Sequence, residues 1–311
     1  MERIYHYTSM EVFYNLIKSV EEVKNKTCFV FWASNVLYMN DPKEFSFGLK
    51  IIMYALKEIE SNKNVDKKYR ISDLWKEESI REASIRDALL KVINEDNESP
   101  YAISFSREED SLPMWLNYAN RGRGVCLAFA EYRNRVEERI SDEDTNGSGI
   151  VIYDTMNAHD VYYCSSALKV SQNNRIYKRI EEMYDEYYRS KIPSIDLNSL
   201  PTLQLGVLKA FTFLVAPYIK TSGFEGEKEV RMVKSIKFDF DNNNKEVQFK
   251  LSNRGNLIPY VRVGIPVSQL DYVRIGPLAN YNLSLYSLEM MKKKYDMDFD
   301  IKPSNLEYQD Y

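Results

Sequence analysis

The chain has 311 residues, 44% hydrophobic and 28% charged, enough for one large domain or two small ones with a core that needs neither disulfides nor metal. A net charge of -4 and a pI near 5.6 exclude a globally basic nucleic-acid binder and leave room only for a local basic patch. No run of roughly 18 apolar residues occurs, so no membrane span is expected. The longest apolar stretch, from Val207 to Ile219, is interrupted by Lys209, Thr212 and Pro217. The opening Met-Glu-Arg-Ile-Tyr lacks the apolar core of a signal peptide. Cys28, Cys126 and Cys164 are widely spaced with no Cys-x-x-Cys. Together these features fit a reducing cytoplasm. With only His6 and His159, a zinc site is not expected.

The elements follow in chain order. Arg3 to Thr8 is a strand. Ser9 caps a helix over Met10 to Lys18, whose Val12, Phe13, Leu16 and Ile17 form one apolar stripe. Thr27 to Ala33 is a second strand, and Asn40-Asp41-Pro42 is a turn that starts a helix over Glu44 to Glu60. The charged, helical stretch from Ile71 to Asn94 follows a polar loop. Pro100 to Ser106 is the third strand. Leu112 to Ala119 is a short helix with Pro113 in its first turn. Arg121-Gly-Arg-Gly124 turns into the strand Val125 to Ala130.

Beyond that, Glu131 to Ile140 reads as a short helix, Ile150 to Tyr153 and Asp160 to Cys164 as strands, and Asn174 to Ser190 and Leu200 to Ala216 as helices. Phe224 to Val233 alternates charged and apolar residues and reads as a strand. Glu246 to Leu251, Leu257 to Gly264 and Tyr272 to Ile275 are further strands. A helix over Asn282 to Tyr295 and a short strand over Asp298 to Lys302 close the chain. Strands and helices mix without a regular alternation. The expectation is one α+β domain over 1–311 with a mixed, largely antiparallel sheet and a helical insertion or lid at about 44–98.

Several residues could carry chemistry. His6 sits mid-strand and shares a face with Ile4 and Thr8, where a structural histidine is the plain alternative. Trp32 and Ser34 share a face of the second strand. Asp41 and Glu44 form either a capping box or, with Asn40, a ligand-touching loop. Ser104 and Ser106 share one strand face, and Trp115 and Tyr118 share one helix face. Arg121-Gly-Arg-Gly124 and Gly276-Pro277 read as turns rather than phosphate loops.

The strand at Phe224 places Glu225, Glu227, Glu229 and Arg231 on one face. Neighbouring carboxylates there lie roughly 7 Å apart at about 3.3 Å per residue, and Arg231 would keep Glu229 ionised. A surface ladder of ion pairs has the same spacing.

Taken together, Tyr-His-Tyr-Thr-Ser at 5–9, Asn-Asp-Pro-x-Glu at 40–44, Ile-Ser-Phe-Ser at 103–106, Met-Trp-x-x-Tyr-Ala at 114–119, Gly-Val-x-Leu-x-Phe at 124–129, Glu-x-Glu-x-Arg at 227–231 and Ile-Gly-Pro at 275–277 resemble a large bacterial family of unknown function. Phe224 stands where that family usually has Trp. The layout also resembles ADP-ribosyltransferase-like folds. That resemblance implies NAD as substrate, with His6, Tyr7 and Thr8 on the first strand and Trp32 or Ser34 on the second holding its riboses. It makes Glu229 the catalytic carboxylate and Glu227 the residue that orients the acceptor. Asn40, Ser104, Trp115, Tyr118 and Arg231 complete the implied NAD-binding set. The second-strand motif departs from the Tyr or Ser-Thr-Ser pattern of such enzymes.

Three readings follow. The first is an NAD-consuming ADP-ribosyltransferase-like enzyme or NAD glycohydrolase, as a toxin or anti-phage effector, with a nucleic-acid or protein acceptor; it requires His6, Glu229 and Arg231 to meet in one cleft. The second is a non-enzymatic module that binds a nucleotide or nucleic acid. The third is a metal-dependent nuclease using Asp41, Glu44, Glu227 and Glu229.

Overall fold

The computed structural model describes residues 2–23, 27–39, 43–74, 98–130, 139–140, 152–153, 158–166, 174–237, 246–252 and 255–308. Asn40, Asp41 and Pro42, much of the stretch expected to be helical after Ile71, and residues 131–138 of the short helix expected over Glu131 to Ile140 lie outside these residues; the last two residues of that expected helix, Arg139–Ile140, are instead a strand.

The chain alternates strands and helices from β1 (Arg3–Thr8), α1 (Met10–Ser19), β2 (Cys28–Asn35), α2 (Glu44–Asn62) and β3 (Glu98–Ser106) to α3 (Leu112–Tyr118) and β4 (Val125–Ala130). Short strands β5 (Arg139–Ile140), β6 (Ile152–Tyr153), β7 (Ala158–Asp160) and β8 (Tyr162–Cys164) precede α4 (Arg175–Tyr187) and α5 (Leu200–Leu214). The last part holds β9 (Ile219–Thr221), β10 (Glu229–Lys237), β11 (Gln248–Leu251), β12 (Leu257–Pro266), β13 (Leu270–Ile275), α6 (Tyr281–Tyr295) and β14 (Asp300–Pro303).

Among the described residues, twelve strands join one sheet in the order β14-β13-β4-β1-β3-β2-β12-β6-β5, with β10 and β7 branching from β3 and β11 from β12. The pairs are antiparallel except β13–β14 and β12–β6. The fold is therefore α+β with a mixed, mostly antiparallel sheet. A separate parallel pair joins β8 to β9.

One strand edge of β3 is shared. Near its end Ser106 pairs with Tyr5 of β1, and further back Ala102 pairs with Ser34 of β2. The other edge pairs along its length with β10. Cross-strand partners point the same way, so the register sorts the sheet into two faces. One face carries Ile4, Phe31, Ile103, Phe105, Val230 and Met232 against α1 and α6 in the first core. The other carries Tyr5, Tyr7, Ser104, Ser106, Glu229 and Arg231.

Two apolar clusters cover that second face. Trp115 of α3 packs with Tyr5 and Tyr7 in one. α2, α4 and α5 pack in the other, around Ile52, Tyr184 and Phe211. Residues Leu200–Tyr218 meet the length and hydropathy of a membrane span, but 56% of that window is buried. Leu208, Phe211 and Val215 are spent on the core, which assigns this segment to helix packing rather than to lipid.

Candidate functional site

Between the two apolar clusters on the second face, five charged side chains meet out of water: Glu44, Lys220, Glu227, Glu229 and Arg231. They arrive from four segments, the first turn of α2, β9, the turn before β10, and β10 itself.

The turn is where the structure departs from the expected strand. Ser222–Glu227 is a 3-10 turn and Lys228 is left-handed at φ 41°, so the strand begins only at Glu229. Glu225 and Glu227 therefore do not belong to a row of strand carboxylates. Strand alternation would have separated Glu227 and Glu229 along one face; the left-handed step instead folds Glu227 back beside Glu229. Ser106 Oγ holds the turn by donating to the Glu227 carbonyl at 2.6 Å, and Tyr163 OH accepts from Glu229 N at 2.7 Å.

Within the cluster, Arg231 donates from Nε to Glu229 Oε1 at 2.6 Å and from Nη2 to Oε2 at 2.8 Å, a two-pronged carboxylate clamp. Its Nη1 meets the Pro217 carbonyl at 2.5 Å and ion-pairs with Glu44. Lys220 Nζ donates to Glu227 Oε2 at 2.6 Å and Glu229 Oε2 at 2.9 Å, with Glu44 Oε2 at 3.7 Å. Tyr118 OH donates to Glu227 Oε1 at 2.7 Å. The Phe224 ring covers Lys220 Nζ at 4.7 Å and is itself 37% exposed, which marks the outer rim.

Gly48 lets α2 come this close. A Cβ there would stand 2.6 Å from the Ala216 carbonyl oxygen, in the turn that supplies Pro217 and leads to Lys220.

Three carboxylates face two cations. Burial raises the Glu229 carboxyl, but the Arg231 and Lys220 charges outweigh it and hold the group at about 2. Burial raises Glu44, and Arg231 and Lys220 only partly offset it. Lys220 is lowered by burial but ends above its ordinary value because Glu229, Glu44 and Glu227 surround it. Burial, then the bond to Glu227, pushes the Tyr118 hydroxyl up. Both oxygens of Glu229 are thus committed to cations. Glu227 lies at the outer end, held by a neutral phenol and by Lys220.

The geometry brings together Glu227, Glu229, Arg231, Tyr118 and Ser104, whose side chain bonds to Glu229. It does not bring in His6. Phe105 and Phe31 flank the imidazole at 5.5 and 5.3 Å, on the face opposite Glu229. A single cleft lined by His6 and Glu229 is therefore not formed. His6 Nδ1 bonds instead to the Ser104 carbonyl at 3.0 Å. That carbonyl lies where β1 and β2 diverge from the edge of β3, so the histidine closes a gap in the sheet.

The other expected residues have structural partners. Tyr7 OH donates to the Glu108 carbonyl at 2.8 Å and accepts from Ser111 N at 3.0 Å. Thr8 is buried at the end of β1. Trp115 is fully buried, with Nε1 donating to Asp110 Oδ1 at 2.6 Å. Trp32 stacks on Tyr260, and Ser34 pairs with Tyr260 and Ala102. Arg121 sits in a left-handed turn, as expected of a helix-to-strand connection; Gly124 is required there because a Cβ would stand 2.2 Å from the Thr8 carbonyl oxygen. Of the four carboxylates of the nuclease reading, Asp41 lies outside the described residues, and Glu44, Glu227 and Glu229 do converge, but on the Lys220 ammonium. Among the described residues no group of three His, Cys, Asp or Glu side chains has a metal-holding geometry.

The sequence offers Lys220 only as a candidate, with Arg121 and Arg123, for a basic path to a nucleic-acid acceptor, and gives Tyr163 no local signal. Lys220 stands in Tyr-Ile-Lys-Thr after an apolar helix, and nothing local marks it as the centre of a carboxylate cluster.

Residues 114–232 match the model of a family described as a protein of unknown function (DUF2971). The matched segment contains Tyr118, Lys220, Glu227, Glu229 and Arg231 and leaves out His6 and Glu44. No curated protein and no solved structure matches.

Proposed function

We propose that this chain is an NAD-consuming enzyme of ADP-ribosyltransferase-like type in which Glu227, rather than Glu229, is the working carboxylate. The single observation behind this assignment is the unequal use of the two groups. Glu229 spends both oxygens on cations, Oε1 on Arg231 and Oε2 on Arg231 and Lys220, whereas Glu227 has one oxygen on the Lys220 ammonium and the other on the neutral Tyr118 hydroxyl, which a substrate could displace without breaking an ion pair. The ordered motifs of the chain supply the reaction class. The form of this reading that required His6, Glu229 and Arg231 in one cleft fails, because His6 lies on the opposite face of the sheet; what is proposed is the same reaction class carried without the histidine.

In the reaction, the bond from ribose C1′ to nicotinamide nitrogen breaks and its electron pair leaves with neutral nicotinamide. Positive charge develops on the ribose, and a fixed carboxylate in a dry site stabilises it. The acceptor, water or a nucleophile on a protein or nucleic acid, then bonds to C1′ and releases its proton to solvent. Arg231 and Lys220 act as positioning residues that hold the Glu227–Glu229 turn in place.

A second reading is favoured by the internal neutralisation of the cluster: a non-enzymatic nucleotide-binding module in which the ion pairs are structural. The two readings separate on NAD turnover and label transfer by wild type and Glu227→Gln. The enzyme reading expects turnover reduced about a hundred-fold in the variant. If wild type neither consumes NAD nor labels an acceptor, that reading fails. Nucleotide binding without turnover, retained in Glu227→Gln, supports the module.

A further inference from the structure

Strand β2 is covered along its length except at Trp32, which is 49% exposed while Phe31 and Ala33 on either side are buried. Such exposure is costly for a ring of this size. Its one covered face lies against Tyr260 of β12, with ring centroids 4.6 Å apart and an interplanar angle of 23°. Lys250 of β11 reaches over the pair, its Nζ 5.7 Å from the Trp32 ring centroid and 5.8 Å from that of Tyr260.

The surround is fixed. Gln248 Oε1 accepts from Tyr260 OH at 2.9 Å and from Arg262 Nε at 3.2 Å, which sets the carboxamide with its N–H groups directed away from both. Arg262 is tied to Glu22 on its other side and pairs across the strand with Trp32. Burial lowers the Lys250 ammonium, and an incoming anion would relieve that penalty. The strand register puts Ser34 on the same face as Trp32.

We infer that Trp32, Tyr260 and Lys250 form a second ligand site, a stacking platform for a nucleobase whose phosphate meets Lys250. A base has a flat π-face for the open side of Trp32, and stacking of this kind tolerates any base. The lysine supplies the charge that a purely apolar ring would leave unused, and the Gln248 N–H groups offer donors to a base edge or phosphate oxygen. The site shares no residue with the Glu227 cluster and does not depend on the proposed reaction. Two sources carry this chemistry, a free nucleotide and a single-stranded nucleic acid.

The test uses the full-length protein and fluorescence-detected titration with AMP, CMP and a twelve-nucleotide single-stranded DNA of mixed sequence. Binding is read by anisotropy of fluorescein-labelled AMP and oligonucleotide, with the unlabelled ligands as competitors, so that the signal does not depend on Trp32. Trp32→Ala is expected to weaken binding about ten-fold or more, Trp32→Phe to restore most of it, and Lys250→Gln to weaken binding and flatten its salt dependence. Binding here is read on the Trp32 and Lys250 variants and the proposed reaction on NAD consumption, so failure of one is distinguished from failure of the other. Saturation by mononucleotides assigns the site to free nucleotides, and binding of the oligonucleotide alone assigns it to single strands. No binding by wild type, or equal binding by wild type and a folded Trp32→Ala variant, overturns the site.

Discussion

Arg231 grips Glu229 through two N–H···O bonds of 2.6 and 2.8 Å, although the two residues are only two apart on one strand face. The guanidinium is 1% exposed and is also held by the Pro217 carbonyl and Glu44. A charge this deeply placed is tolerated because every side of it has a partner. Removing one partner exposes the cost of burying the others.

Arg231→Met should therefore destabilise the fold by about 3–5 kcal/mol, with Glu229 and Glu44 left facing each other. The paired change Arg231→Met with Glu229→Leu should recover much of that loss. Urea unfolding of the two single variants and the double variant measures the coupling; simple additivity would show that the clamp is not the source.

Glu229 and Glu44 should give the pH–stability curve opposite slopes. The Glu229 carboxyl is depressed to about 2 in the folded state, so its stabilisation is present above its unfolded value near 4.5 and is lost as pH falls toward 2. Glu44 is raised by burial, so its share is present at low pH and is lost as pH rises through its folded value. Glu229→Gln should remove part of the acid limb, and Glu44→Gln part of the decline at higher pH. Denaturant midpoints between pH 3 and 8 give both slopes, and identical slopes in wild type and Glu44→Gln would refute the second.

Lys220→Met removes the point on which three carboxylates converge. The loss should be larger at pH 8 than at pH 5, because protonation of a carboxyl relieves the repulsion left behind. Melting temperatures at the two pH values test this, and an equal drop at both would point to lost packing under Phe224 instead.

Gly48→Ala should destabilise α2 against the sheet by about 1–3 kcal/mol, although alanine is the better helix former by about 1 kcal/mol. The added Cβ would stand 2.6 Å from a backbone oxygen that cannot swing away. A stabilised variant would show that α2 can shift without loss.

His6→Phe should leave NAD turnover unchanged and cost about 1 kcal/mol, the worth of one hydrogen bond. Burial holds the wild-type imidazole below its ordinary value of 6.5. Wild type should therefore lose stability below that pH more steeply than the variant. A large drop in turnover with intact folding would return His6 to the site.

Much of the fold was legible because it rests on local pattern. The alternation in β1 and in β3 assigned their two faces correctly: Ser104 and Ser106 lie together with Phe105 opposite, and His6 lies with Ile4. The Ser9 cap and the stripe at Phe13, Leu16 and Ile17 placed α1. The match of residues 114–232 supports the coarse part of the resemblance, a family of unknown function, while the motifs at 5–9, 40–44, 103–106 and 275–277 lie outside the matched segment. The site was legible only in part. Glu227, Glu229, Arg231 and Tyr118 do meet, yet the strand expected to align the glutamates is broken at Lys228, a non-glycine residue in a conformation that alternation does not reveal.

Sequence alone determined which residues alternate, cap and turn, because those properties depend on neighbours within a few positions. Only the tertiary structure decided what lies opposite what. Whether His6 shares a face with Glu229 depends on how β1 and β10 register against the two edges of β3, pairings more than a hundred residues apart in the chain. Whether Glu227 and Glu229 are neutralised depends on Lys220 arriving from β9 and Glu44 from α2. Charges separated by such loops interact through space in a dry interior, and their separation along the chain carries no record of it.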